Sequence, residues 1–180
     1  MTSPIKLVQI AEKSLITEFF QESVGKWSSQ RRYYTLPDGK TKEVASTITI
    51  RFLEGGCDQL QKLAQMHNFD VSTMLSCGAE VYWESENVLT KAKESQGSTL
   101  FGALGNKLYR DRGFATSKPI TAEYYFPNVK TLCLRTEYNG SVFEEELKFI
   151  SEKYRTRQSV MSRSGEQVMI GQYLEKRIEG

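Results

Sequence analysis

Residues 44–52 read Val-Ala-Ser-Thr-Ile-Thr-Ile-Arg-Phe, and this stretch carries the clearest fold signal in the chain. Apolar or small residues alternate with polar ones, which is the pattern of an extended strand with one buried face. The side predicted to be buried consists of Val44, Ser46, Ile48, Ile50 and Phe52. An antiparallel sheet with one apolar face is therefore predicted around this strand.

Similar stretches recur along the chain and are separated by turn signals such as Asn139-Gly140. Besides 44–52, strands are predicted at 26–36, 77–84, 87–94, 119–126, 129–138, 142–150, 153–162 and 166–178. The region 97–118 is predicted to be a loop or a short helix. About ten strands in meander order favour a mostly β, antiparallel up-and-down barrel, because closure leaves no exposed strand edge.

Two helices are predicted as well. From Ile5 to Phe20, apolar residues recur at helical spacing, which indicates an N-terminal α-helix with one buried face. Farther along, Asp58 is placed to cap a short second helix, with Gln61 at the capping-box position. No internal repeat or linker interrupts the chain, so we expect residues 1–180 to form a single domain.

The composition excludes several function classes. The net charge is only +2, which argues against a nucleic-acid partner, and no run of about 18 apolar residues indicates a membrane span or a secretion signal. His67 is the only histidine, so a multi-histidine metal site is impossible. Cys57, Cys77 and Cys133 lack CxxC spacing, and we expect neither a metal nor a disulfide framework, but a reducing, intracellular environment.

A barrel of this size can hold a small ligand, so charged residues on its apolar face are candidate site residues. Glu145 shares its side of a strand with Leu147 and Phe149, and a carboxylate among apolar groups is unfavourable unless something binds it. Alternatively, this strand lies on the surface, and Glu145 shares a side with the two apolar residues by chance. Arg155 and Arg157 share one side of the next strand, and pairing would bring them near Glu145, as a salt bridge or as an anion-binding pair.

A further arginine lies on an aromatic side of the predicted strand 26–36. Strand parity places Arg31 with Trp27 and Tyr33, and Arg32 on the opposite side. Arg31 can stack on a planar ligand, or it can simply cover exposed ring area. The residues alone leave both readings open.

Several short motifs, in order along nearly the whole chain, resemble the S-type phycobiliprotein lyases, the CpcS/CpeS family. They are Phe19-Phe-Gln-Glu-Ser-Val-Gly-Lys-Trp-Ser-Ser-Gln-Arg31, Cys77-Gly-Ala-Glu-Val-Tyr-Trp83, Gly97-Ser-Thr99, Gly113-Phe-Ala115, Thr136-Glu-Tyr138, Glu144-Glu145, Arg155-Thr-Arg157 and Glu175-Lys-Arg177. The chain departs from the family where Tyr33 and Tyr34 replace common histidines. A family run of Asn-Leu-Arg-Leu-Arg-Thr-Ser is also altered here, over residues 152–159.

The resemblance implies a lipocalin-like bilin-lyase domain. Its substrate would be a linear tetrapyrrole, phycoerythrobilin or phycocyanobilin, which it would attach by a thioether bond to a cysteine of a phycobiliprotein subunit. By resemblance, Glu145, Arg155 and Glu175 are the expected catalytic residues. Arg155 and Arg157 would hold propionate or carbonyl oxygens, and Glu145 would pair with pyrrole N–H groups. The expected bilin-binding residues are Arg31, Trp27, Trp83, Arg157 and Arg177.

The resemblance also implies the partners. These are the bilin as substrate and the acceptor subunit that supplies the reacting cysteine, with no prosthetic group, no nucleic acid and no membrane span. A bilin reductase, a second lyase subunit and a homodimer stay open, and the compartment would be the cyanobacterial cytoplasm or, in an alga, the plastid stroma.

Two other functions remain open from the residues alone. One is a non-catalytic, lipocalin-like carrier of a bilin or another acidic apolar ligand. The other is a protein-interaction module with a filled core, in which the inward charges form a structural network.

Overall fold

Ten antiparallel strands form one closed barrel in the computed structural model, which describes residues 15–113 and 116–178. The strands are β1 (Gly25–Thr35), β2 (Lys40–Glu54), β3 (Cys77–Asn87), β4 (Lys93–Leu104), β5 (Lys107–Arg110), β6 (Ile120–Asn128), β7 (Thr131–Tyr138), β8 (Ser141–Phe149), β9 (Tyr154–Arg163) and β10 (Glu166–Ile178). Each strand pairs with its sequence neighbour, and β1 also pairs with β10. The predicted up-and-down barrel is therefore confirmed, and pairing on both sides covers the edges of all ten strands.

The stretch 44–52 lies within β2, and its predicted alternation is confirmed. Val44, Ser46, Ile48 and Ile50 are buried, whereas Thr47 is exposed. The buried side faces the barrel interior, where Ile48 and Ile50 belong to the main hydrophobic core and the half-buried Phe52 packs against it.

The N-terminal helix α1 fills one end of the barrel. Residues 15–23 are helical, whereas the part of the predicted helix from residue 5 to 14 lies outside the described residues. Ile16, Phe19 and Phe20 are at most 7% exposed and pack into the barrel core. The ring of Phe19 lies 4.9 Å from that of Phe149 at the end of β8, which anchors the helix to the barrel wall.

The second helix, α2 (Asp58–Met66), packs on the outside of the barrel wall. Its buried Leu60 and Leu63 form a separate cluster with Leu53 and Leu75. The helix lies so close to β4 that a Cβ atom at Gly102 would come within 2.6 Å of Leu75 and 3.0 Å of Leu63. A glycine is therefore required where this cluster meets the strand.

The predicted cap of α2 was wrong in detail. Cys57 is the N-cap residue, it makes no side-chain capping bond, and Asp58 is already the first helical residue. The side chain of Gln61 instead donates a hydrogen bond to the carbonyl of Gly56, at 2.7 Å. The helix begins one residue earlier than predicted, and its stability comes from the leucine cluster rather than from a cap.

The strand predicted at 87–94 is wrong, because β3 ends at Asn87 and residues 88–92 form the turn to β4. The side-chain oxygen of Asn87 accepts hydrogen bonds from the backbone N–H groups of Leu89 and Thr90, at 3.0 and 3.1 Å. This local bonding favours a turn over a continued strand.

The loop or short helix predicted for 97–118 is also wrong over most of its length, since β4 and β5 occupy residues 97–104 and 107–110. Gly97 and Gly102 weaken the strand pattern in the sequence. The fold nevertheless uses both, Gly102 beneath α2 and Gly97 beneath the ring of Trp83. Among the described helices, none is long and apolar enough to cross a membrane.

Candidate functional site

A cavity of about 380 Å³ lies inside the barrel, next to α1. Aromatic and aliphatic side chains form much of its wall, among them Phe19, Phe20, Trp83, Phe101 and Leu147. Small-molecule sites in proteins are usually such concave, largely apolar pockets with a few placed polar groups. The barrel interior is therefore the candidate site.

The charged residues of the cavity wall are mostly arginines. Among the described residues, one carboxylate lines the cavity, that of Glu145. The arginines that line it are Arg31, Arg110, Arg112, Arg155 and Arg157. A wall with this balance favours a ligand that carries negative charge.

Glu145 points into the barrel and forms an ion pair with Arg157. Leu147 is the register partner of Arg157, so Glu145 lies diagonally across the β8–β9 pair from this arginine. The Nη2 group of Arg157 donates to both carboxylate oxygens, at 2.9 and 3.0 Å, and the Glu145 side chain is only 10% exposed. The predicted inward orientation of Glu145 and its pairing with Arg157 are confirmed.

The ion pair keeps Glu145 charged. Burial raises the pKa of its carboxyl, but the positive charges of Arg157, Arg110 and Arg31 outweigh burial, so this pKa lies below its ordinary value. The pKa of Arg157 lies above its ordinary value. Burial lowers this pKa, but nearby groups, led by Glu145, raise it by more. Both groups are ionised at neutral pH.

Arg155 does not join this pair. It lines the cavity near α1, where its Nε donates to Glu175 at 2.9 Å and its Nη1 donates to the hydroxyl of Ser23 at 3.0 Å. The expectation that Arg155 would also pair with Glu145 is wrong, because Glu175 is its direct register partner on β10. Burial lowers the pKa of Arg155 despite the Glu175 charge, and an arginine still remains protonated.

Glu175 lies behind Arg155 and is 1% exposed. It is absent from the cavity wall, so its predicted direct role in catalysis would require the Arg155–Glu175 pair to open. As found, its carboxylate neutralises a buried guanidinium, which is a positioning role.

Trp27 and Arg177 also lie outside the cavity wall. The indole of the fully buried Trp27 donates to the carbonyl of Ser23 at 2.8 Å. Arg177 covers the Trp27 ring at 4.2 Å and donates to the carbonyls of Val24 and Glu22, at 2.6 and 2.7 Å. The expected contact of both residues with the bilin is therefore not supported, because their N–H groups already donate to carbonyl groups at the C-terminal end of α1.

Trp83 and Arg31 do line the cavity, as their predicted roles require. The Trp83 ring lies against Gly97, its register partner, where a Cβ atom would be 2.9 Å from the ring. Arg31 donates from Nε to the Ser29 hydroxyl at 3.2 Å. Its neighbour Arg32 instead pairs with Glu43 on the outer surface, so the choice of Arg31 over Arg32 agrees with the structure.

Among the cavity residues that sequence reasoning missed are Tyr173, Arg110 and Arg112. The Tyr173 ring lies between the guanidinium groups of Arg31 and Arg157, each 5.2 Å from its centroid, and burial raises the pKa of its hydroxyl. Arg110 and Arg112 are two residues apart, as on one face of a strand, but they lie in the region that was predicted to be a loop or short helix. The parity of Arg110 with the buried Leu108 was the one available signal for an inward arginine.

Comparisons with known proteins agree with the motifs. A family model described as CpeS-like protein matches residues 15–178. The chain is 72% identical over 178 residues to the protein named "Putative phycocyanobilin lyase CpcS 2" of Nostoc sp., and the match covers 99% of both chains. It is 32% identical over 156 residues to the phycocyanobilin lyase subunit CpcS of Picosynechococcus sp., over 82% of this chain and 78% of that protein.

A solved structure shows the same fold. The S-type phycobiliprotein lyase CPES from Guillardia theta superposes with a TM-score of 0.77 at 22% sequence identity, over 99% of both chains.

Proposed function

Since this chain belongs to the CpeS-like family, we propose that it binds a linear tetrapyrrole in its barrel and attaches it to a phycobiliprotein subunit through a thioether bond to cysteine. The observation that carries this proposal is the described part of the cavity wall, where one ionised carboxylate lies among five arginines and aromatic rings. The names of the relatives support the same chemistry.

The wall matches the chemistry of a bilin. Such a ligand has two propionates, pyrrole nitrogens that can be protonated and a flat conjugated surface. Guanidinium groups bind carboxylates through strong charge-assisted hydrogen bonds, and rings such as Trp83 and Phe101 offer faces for packing. The cationic wall compensates the charge of the propionates on transfer from water into the barrel.

Glu145 is the residue that we propose acts on the chromophore. Arg157 takes one lone pair on each of its carboxylate oxygens, so further lone pairs remain free to accept pyrrole N–H groups. A carboxylate held at the pyrrole nitrogens favours the protonated, more electrophilic bilin. The acceptor thiolate then adds to the ethylidene carbon of ring A, forming the C–S bond, and the net reaction adds the thiol S–H across the exocyclic double bond.

The nucleophile in this scheme belongs to the acceptor subunit. The lyase contributes a binding site that excludes water and holds the bilin for attack. The required partners are thus the bilin and the acceptor, and the cyanobacterial cytoplasm is the compartment that we propose from the Nostoc relative.

The name of the same relative makes phycocyanobilin the first bilin to test, with phycoerythrobilin second. The interaction module with a filled core is not supported, because the barrel contains a cavity of about 380 Å³. A carrier without transfer activity is the remaining alternative.

One assay separates lyase from carrier. Phycocyanobilin is mixed with the purified protein, an acceptor subunit is added, and colour is followed through denaturing electrophoresis. We expect an absorbance shift on mixing and covalent colour on the acceptor. Samples without the protein measure spontaneous addition, and an acceptor with its cysteine changed to serine should stay colourless. A shift without transfer would indicate a carrier, and no shift at all would contradict both functions.

A further inference from the structure

The arginines of the cavity wall differ in whether the protein already neutralises them. Arg155 and Arg157 each have a carboxylate at 2.9 Å. Arg31, Arg110 and Arg112 make no ion pair with any described residue. Within the described part of the chain, the cationic wall therefore contains arginines with a carboxylate partner and arginines without one.

Among the three arginines without an ion pair, Arg110 has a buried side-chain nitrogen that lacks a hydrogen-bond partner among the described residues. The residue as a whole is half-buried, and this nitrogen is its Nε atom. A buried N–H group without an acceptor is unfavourable, and proteins leave few of them. The described residues supply no acceptor for this atom, and a ligand group in the cavity would supply one.

Contacts with neighbouring residues hold Arg110 in place, although no described residue forms an ion pair with its side chain. Its guanidinium lies 4.6 Å from the ring centroid of Phe101, its register partner on β4. His67 approaches its carbonyl oxygen through Nε2 at 2.8 Å. The next residue, Asp111, accepts hydrogen bonds from the hydroxyl of Thr99 and the backbone N–H of Leu100, at 2.8 and 2.9 Å. The donor is thus fixed before any ligand arrives.

No carboxylate of the described cavity wall forms an ion pair with Arg110. Glu145 is the sole carboxylate in the described wall, and both of its oxygens already accept from Arg157. Burial lowers the pKa of Arg110, and the charge of Glu145 offsets this only in part. The guanidinium still stays protonated at neutral pH, so the cavity presents a charge that an anionic ligand group would neutralise.

We propose that Arg110 binds a carboxylate of the ligand through its unpaired Nε–H. If the ligand is the bilin of the proposed function, on which this inference rests, that carboxylate is a propionate. The proposal moves the anchoring role away from Arg155, whose Nε and Nη1 are already used by Glu175 and Ser23.

The test compares phycocyanobilin with its dimethyl ester, which lacks both carboxylates. Affinities of the wild-type protein, Arg110→Met and the control Arg51→Met are measured by absorbance titration. Arg51 is a suitable control because it is exposed on β2 and lies outside the cavity wall. Melting temperatures of the ligand-free proteins are measured in parallel.

We expect Arg110→Met to bind the free acid about ten- to a hundredfold more weakly, as for a lost hydrogen bond between charged groups, and to bind the ester as the wild type does. Arg51→Met should behave as the wild type with both ligands. The melting temperature of Arg110→Met should equal or exceed that of the wild type, because the substitution removes a buried unpaired donor.

Equal weakening of acid and ester binding by Arg110→Met, or no weakening of either, would overturn the proposal and leave the proposed function intact. A wild-type protein that binds neither ligand would overturn the proposed function and this inference together.

Discussion

Two buried ion pairs of this barrel differ in their position relative to the cavity. The pair of Glu145 and Arg157, which we call the open pair, faces the cavity, where a ligand can reach the carboxylate. In the pair of Arg155 and Glu175, which we call the sealed pair, the carboxylate lies behind the arginine and does not line the cavity, and the two residues are 4% and 1% exposed. Both pairs have the same 2.9 Å distance between an arginine nitrogen and a glutamate oxygen. Buried ion pairs seldom add much net stability, so this distance alone does not show what each pair contributes.

The open pair should matter for transfer rather than for folding. Glu145→Gln keeps an oxygen acceptor for Arg157 but removes the negative charge, so the protonated bilin loses its counterion. We expect attachment to slow about a hundredfold, within the usual range for a lost acid or base group, with the barrel still folded. The rate of covalent colour formation on the acceptor measures this.

Glu144→Gln is the matched control, since Glu144 is the exposed neighbour on the same strand. An unchanged attachment rate for Glu145→Gln would remove Glu145 from the mechanism. Equal slowing by both variants would show that the effect is not specific to the cavity.

The sealed pair should show strong coupling in stability. Arg155→Met alone leaves the Glu175 carboxylate buried without its partner, which we expect to lower the free energy of unfolding by about 3–5 kcal/mol. Replacing both residues, as Arg155→Met with Glu175→Leu, should destabilise much less than the sum of the single changes. Denaturant unfolding of the wild type, the two single variants and the double variant measures this coupling. Additive effects would mean that the pair does not act as a unit.

At the scale of elements, the C-terminal end of α1 is held by Trp27, which follows it closely in sequence, and by the distant Arg155 and Arg177. The indole of Trp27 and the guanidinium of Arg177 bind the carbonyls of residues 22–24, at the C-terminal end of this helix. Arg155 reaches the same segment through the Ser23 hydroxyl. These contacts fix the helix that supplies Phe19 and Phe20 to the cavity wall.

Removing the contacts of Arg177 should therefore loosen α1. In Arg177→Ala, three carbonyl acceptors lose their donor, those of Glu22, Val24 and Glu152. We expect faster amide hydrogen exchange in residues 15–23, with little change in β3 and β4. Lys176→Ala is the control, because Lys176 is the exposed neighbour of Arg177. Exchange in α1 that matches the control would contradict this role.

Strands with strict alternation were predictable from the sequence, and irregular ones were not. In β2 and β8 one buried face imposes a period of two, so both the strand and the inward position of Glu145 followed from parity. In β4 the period is interrupted by Gly97 and Gly102, whose roles depend on Trp83 and on α2, which are distant in sequence. Arg110 lies in the same mispredicted region, so its inward orientation was not predicted either.

The partners of the predicted charges were only partly predictable. Pairing across the β8–β9 hairpin joins residues close in sequence, so the contact between Glu145 and Arg157 could be foreseen. The partner of Arg155 lies on β10, and the contacts of Trp27 and Arg177 depend on how α1 enters the barrel. Motif resemblance grouped these residues as one ligand site, whereas the structure divides them between the cavity wall and the support of α1.

At the scale of the whole molecule, a nearly neutral chain encloses a cationic cavity. The net charge is +2, yet the described cavity wall has five arginines and one carboxylate. A closed barrel isolates this interior from the outer surface, where charges such as Arg32 and Glu43 pair with each other. The fold thus permits strong recognition of an anionic ligand without a strongly charged surface.

Transfer of the bound ligand to an acceptor thiol is the step that distinguishes the proposed lyase from a carrier. The most direct test is intact-mass analysis of an acceptor subunit after incubation with the protein preloaded with phycocyanobilin and freed of excess pigment. We predict that the mass of the acceptor rises by that of one bilin, that an acceptor with cysteine changed to serine gains nothing, and that the lyase returns to its unloaded mass. An acceptor of unchanged mass, with the bilin still bound in the barrel, would contradict the proposed transfer.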